Sequence, residues 1–208
     1  MERTGSIPGF DPDNSAALVR AYGYGPLPMT DTMTDTTRSG TDAPATGHQV
    51  VVYPSTAVRP IPSFVFAAPP GWVIDEAPGA LCAIRVAEAA DGFWSNALLT
   101  HDRVARAVDL QAVASASWGR LKAEAPSAVV GLERVARFGT NIVYLRAVEL
   151  DAPQSGNKLA QLHAMFFAPS RDGDKTADFF QFVATSTPDT MDDVAKSFVE
   201  MIATFRFV

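Results

Sequence analysis

The chain of 208 residues has one cysteine and three histidines. One thiol cannot close an internal disulfide, which excludes a disulfide-stapled extracellular scaffold. Cys82 lies in the apolar run Ala80-Leu81-Cys82-Ala83-Ile84, which suits a small buried hydrophobe better than a reactive thiolate. His48, His101 and His163 stand far apart, and no His-x3-His or Cys-x2-Cys spacing exists to gather a metal. Ser170-Arg171-Asp172-Gly173-Asp174 lacks the twelve-residue loop and closing Glu of a calcium site. There is no Gly-x-Ser-x-Gly elbow for a serine nucleophile. Gly23 and Gly25 fit no phosphate-cradling fingerprint. Cations are also scarce: 17 Lys and Arg against 23 Asp and Glu leave a net charge of -6. Nothing clusters them, so neither nucleic acid nor an anionic membrane is an expected partner. No apolar run approaches the length of a membrane span or a secretory leader. These absences lead to an expectation of a cytoplasmic, non-catalytic protein with no metal and no cofactor.

What the chain has is core material. Hydrophobic residues make up 47% of it, including thirteen Phe and three Trp. Residues 1–48 contribute little to this. Met29 to Asp42 is almost wholly polar and aperiodic, so the segment reads as a disordered tail. Residues 49–208 read as a single domain.

Within that domain, Gln49-Val50-Val51-Val52-Tyr53 and Phe64-Val65-Phe66 have the β-branched and aromatic character of short strands. Pro69-Pro70-Gly71-Trp72 reads as a turn. Ala80 to Glu88 and Phe93 to Thr100 read as strands joined through Asp91-Gly92, a pair that tolerates the positive φ of a tight hairpin. Leu110, Val113, Ala114, Ser117, Trp118 and Leu121 recur at three and four residues. They predict an amphipathic helix capped by Asp109 and closed by Pro126. Val129 to Phe138, Asn141 to Leu150, Leu159 to Phe167 and Asp178 to Thr185 are strands with short polar links, the pattern of an antiparallel meander. A second helix follows Pro188, with Thr190 to Asp193 resembling a capping box. Met191, Val194, Phe198, Met201, Ile202 and Phe205 form its buried stripe, and Thr204 to Val208 alternates as a closing strand. The fold class is α+β: an antiparallel sheet with helices packed on it.

Aromatic residues supply the candidate site. Trp118 lies on the first helix's apolar stripe and reads as core. Trp72 and Trp94 either pack under their turns or line a cleft, with Asn96 and His101 as polar neighbours. Lining a cleft would suit an apolar or sugar-bearing ligand.

Phe64-Val65-Phe66-Ala67-Ala68-Pro69-Pro70-Gly71-Trp72 resembles the opening strand and turn of the actinobacterial LpqN/LpqT lipoprotein family. The strand carrying Asn96-Ala97-Leu98-Leu99, the helix after Asp109, the meander and the ending Met201-Ile202-Ala203-Thr204-Phe205 follow in the same order. The resemblance runs from Pro60 to Val208. It implies a Mog1/PsbP-like α/β/α sandwich and a binding, adaptor or chaperone-like role towards another protein. The alternative it implies is a carrier of a lipid or glycolipid linked to cell-envelope biogenesis. It brings no catalytic residue. A lipoprotein leader and lipobox are not seen, and Cys82 inside a strand is not a lipidation cysteine, so envelope anchoring is not expected from the sequence. Neither oligomeric state nor partner follows from these residues.

Overall fold

The computed structural model describes residues 52–55, 58–90, 92–153, 155–171 and 173–208. They belong to two compact units. One contains Pro62–Val208, and the other lies within Pro26–Ile61. The tail assigned to residues 1–48 and the first three residues of the Gln49–Tyr53 strand lie outside the described residues. Val52 and Tyr53 form no strand. In this short unit the Val58 amide donates to the Ser55 hydroxyl at 3.0 Å, and the Ser55 amide donates to the Val58 carbonyl at 2.8 Å.

Among the described residues of the larger unit, nine strands and two α-helices follow in order. They are β1 (Phe64–Val65), β2 (Trp72–Asp75), β3 (Cys82–Val86), β4 (Asn96–Ala105), α1 (Leu110–Glu124), β5 (Val129–Phe138), β6 (Asn141–Asp151), β7 (Lys158–Phe167), β8 (Thr176–Ser186), α2 (Met191–Thr204) and β9 (Arg206–Phe207). A single 3-10 turn, Pro188–Thr190, precedes α2. Strands β2 to β8 form one antiparallel sheet in the order β2-β3-β4-β8-β7-β6-β5. The fold class is thus α+β, with one helix on each face of the sheet.

Side-chain alternation explains the layers. In β6, β7 and β8, Tyr144, Met165 and Phe179 pack beneath Val113 and Ala114 of α1. Their neighbours Val143, Phe166, Phe180 and Phe182 turn the other way, under Val194, Phe198, Met201 and Ile202 of α2. Strand β8 is buried along nearly its whole length because both helices cover it. The phenylalanines concentrate on the α2 face. Phe205, just past the helix, stacks on Phe64 at 5.3 Å and meets Phe166 edge-on at 4.9 Å. Each fully buried ring contributes about 1.5–3 kcal/mol, so this cluster anchors the β1–β9 ribbon, which pairs Phe64 with Phe207. Asn141 fixes the helix end to the sheet by donating to the Phe205 carbonyl at 3.1 Å.

Three local expectations change. Trp72 closes its turn, donating its amide to the Pro69 carbonyl at 3.2 Å with Gly71 at φ 79°, but it also begins a strand, β2, opposite Val86. His101 lies mid-strand, because β4 runs on to Ala105 against β8. Thr190 makes no side-chain cap on α2; its hydroxyl is engaged by Thr187 at 2.9 Å and by Ser186. Other expectations match. Asp109 caps α1, accepting from the Ala112 amide at 2.7 Å. Ala90 and Phe93 form an antiparallel bridge, and Gly92 sits at φ 78°; Asp91 lies outside the described residues.

Candidate functional site

The four residues singled out from the sequence fall in two places. Trp94 precedes β4 with the Arg85 guanidinium 5.8 Å from its ring centroid. Asn96 donates to the Trp94 carbonyl at 3.0 Å and stands opposite Arg85 and Thr185 on the α1 face. Trp72 and His101 belong by register to the α2 face. Trp72 is half-buried against the phenylalanine cluster. His101 places its ring 5.1 Å from Phe180, and its Nε2 lies 2.9 Å from Asp178 Oδ1, which also accepts from Arg103 Nε at 2.9 Å. The sheet therefore separates the Trp94–Asn96 pair from Trp72 and His101.

Beneath α1 lies a buried polar chain that the sequence did not reveal. The Ser117 hydroxyl donates to Gln181 Oε1 at 3.2 Å, and Gln181 Nε2 reaches His163 Nδ1 at 3.2 Å. His163 Nε2 meets Gln161 Oε1 at 3.0 Å, and Gln161 Nε2 donates to Thr185 Oγ1 at 3.3 Å. A neutral imidazole protonated on Nε2 satisfies every link with one donor and one acceptor. Burial, and secondarily the Arg146 charge, hold His163 down at about 3. Arg146 stands directly opposite it on β6 and is itself 3% exposed. Its Nε donates to Glu133 Oε1 at 2.6 Å and its Nη2 to the Ala114 carbonyl at 3.0 Å. The guanidinium lies 5.3 Å from the Trp118 ring and 5.5 Å from Tyr144. Trp118, expected as plain core, is thus half-buried and covers a cation. The chain links sheet to helix, and its only histidine bonds to two amides and no nucleophile. Burial pushes the Cys82 thiol up to about 11, far from a reactive thiolate.

The outer edge of the sheet differs in character. β5 pairs with β6 on one side and, among the described residues, is the last strand of the sheet on the other. It is ten residues long and mostly exposed. Val129 is 63% exposed, Leu132 51% and Val135 60%, with Ile142 of β6 at 51%. Glu133, Arg134 and Arg137 lie among them. The strand slips register once, between Val130 and Leu132, leaving Gly131 as a bulge. An edge strand offers a row of backbone N–H and C=O groups to any extended chain, and this one is long enough to hold one. The sequence signalled only that β5 alternates; its place at the edge came from tertiary structure.

Among the described residues no His, Cys, Asp and Glu group could hold a metal ion, and no helix is long and apolar enough to cross a membrane.

No protein-family profile and no curated protein sequence matches the chain. Solved structures do. One is LpqN, involved in cell envelope biogenesis of Mycobacterium tuberculosis, with a TM-score of 0.59 at 14% identity, covering 71% of this chain and 84% of that one. Another is cyanobacterial PsbP (CyanoP) from Synechocystis sp. PCC 6803, with a TM-score of 0.50 at 14% identity, covering 70% and 86%. The chain therefore has the fold shared by LpqN and PsbP.

Proposed function

We infer that the chain is a non-catalytic binding module that takes an extended segment of protein along the open edge of β5. The observation that carries this reading is the ten-residue edge strand with Val129, Leu132 and Val135 exposed. Main-chain pairing supplies affinity in such a mode, and the alternating side chains supply selectivity. Two side chains of reactive type among the described residues are held unreactive, which is compatible with this reading. His163 is neutral and bonded to amides, and the Cys82 thiol is held protonated. The fold shared with LpqN and PsbP is compatible with a binding role, and membership of the LpqN family belongs to the same proposal.

The test is photo-crosslinking from single positions in the full chain expressed in its host. A photoreactive residue at Val135 should give a discrete protein adduct. The same residue at Val199, exposed on α2, should not. Adducts from Val199 and none from Val135 would move the binding surface off the edge and refute the reading.

A further inference from the structure

The β5 edge carries information about its occupant, and the identity of that occupant rests on β5 being the binding surface. The regular part of the strand runs between two interruptions: the bulge at Gly131 and the turn at Gly139, where φ is 57°. The segment between them, Leu132-Glu133-Arg134-Val135-Ala136-Arg137-Phe138, has Val135 at its midpoint. We propose that this edge pairs antiparallel with the same edge of a second copy of the chain, about a two-fold axis at Val135, joining the two sheets into one.

Residue chemistry selects this register. With Val135 opposite itself, Glu133 faces Arg137 of the second copy, and Arg137 faces its Glu133. Leu132 faces Phe138, and Arg134 faces Ala136. Directly opposed residues in an antiparallel pair share a face. Glu133, Val135 and Arg137 do, since their β6 partners are Arg146, Tyr144 and Ile142. Leu132, Arg134, Ala136 and Phe138 share the other, opposite Ala147, Leu145, Val143 and Asn141. Opposite charges facing across strands stabilise pairing, and like charges oppose it. Neighbouring registers fail this criterion. Centring on Arg134 sets that cation against itself, and centring on Glu133 does the same with two carboxylates. Centring on Ala136 leaves Glu133 opposite the turn and unmatched. Two-fold contacts repeat each complementary pair, so Glu133 with Arg137 occurs twice. Glu133 already accepts from Arg146 at 2.6 Å, which fixes its carboxylate on that face. Val135 and Leu132, both more than half exposed, would be covered. A seven-residue strand is about 23 Å long, so the contact falls below a standard interface. A reversible, concentration-dependent dimer is the expected state.

The experiment is sedimentation equilibrium of the full chain and two charge variants, with cross-linking as a second readout. Arg137→Glu should raise the dimer dissociation constant by about tenfold or more, by setting two carboxylates against each other. Arg134→Glu makes the same change in net charge one residue from the axis and should leave it within about twofold, because Arg134 faces Ala136. Opposed residues in such a pair have Cα atoms about 4.5–5.5 Å apart, within disulfide range. In a Cys82→Ala background, Val135→Cys should therefore oxidise to a covalent dimer, and Val129→Cys should not. Equal effects of the two charge variants, or a dimer indifferent to both, would overturn the proposal. So would a monomer at every concentration. In that last case hydrogen exchange separates the two ideas. Fast exchange of β5 amides removes self-pairing and leaves the edge open to other chains. Slow exchange at all concentrations means that the chain's own residues cover the edge, and both ideas fall.

Discussion

His163 should make this domain acid-sensitive by an amount that can be worked out. Its ordinary value is 6.5, and in the fold it lies at about 3. The unfolded chain therefore binds one more proton than the folded chain between those limits. Stability is full above about pH 6.5, falls as pH drops through 6.5, and stops falling below about pH 3. At pH 5 the group is 1.5 units below its unfolded value, a loss of about 2 kcal/mol at roughly 1.4 kcal/mol per unit. That is a large part of a stability of about 5–15 kcal/mol. The physical cause is twofold: the ring is desolvated, and the Arg146 cation stands on the opposing strand. Protonating Nδ1 would also turn its lone pair, which receives Gln181 Nε2, into a second donor. His163→Gln isolates the effect. A glutamine carbonyl accepts from Gln181, its amide donates to Gln161, and nothing titrates. Denaturant unfolding of both proteins between pH 7.5 and pH 4.5 gives the difference, with carboxylates common to both cancelling. The native protein should lose about 2 kcal/mol more than the variant on going from pH 7.5 to pH 5, a further fall in Tm of about 4–8 °C. Parallel pH profiles would refute the account, since the histidine would then be neutral or charged alike in both states.

The Cys82 thiol, pushed up to about 11 by burial, should react with a disulfide reagent at pH 8 about a hundredfold more slowly than a free cysteine. A native rate equal to that of the unfolded protein would contradict its placement. Phe205→Ala should cost about 3–5 kcal/mol, because the ring contacts Phe64, Phe66, Phe166, Phe180 and Phe207. A guanidinium midpoint shift worth under about 1 kcal/mol would show that the cluster does not anchor the terminal ribbon.

The strands of the meander were legible because each carries its own alternation and is bounded by Gly, Pro, Asn or Asp. Observed bounds such as Val129–Phe138 and Lys158–Phe167 lie within a residue of those read from sequence. Helix α1 was legible from its apolar spacing and from Asp109, whose carboxylate does cap it. The short strand Trp72–Asp75 was missed because Pro-Pro-Gly before it is a strong turn signal, and four residues are too few to show a period. The candidate site was legible only in part. Ser117, Gln161, His163, Gln181 and Thr185 sit on three separate elements, and nothing local announces that they converge.

Composition and pattern by themselves determined the α+β class, the order of the longer strands and the helices, and the buried stripes of the helices, since these depend on neighbours within about ten residues. The long-range pairings decided the rest. Val129–Phe138 and Leu159–Phe167 look alike as sequence, yet β7 is covered on both sides and β5 stands at the rim. Which strand ends a sheet depends on who pairs with whom across the chain, and that is why the exposed edge emerged only from the folded structure.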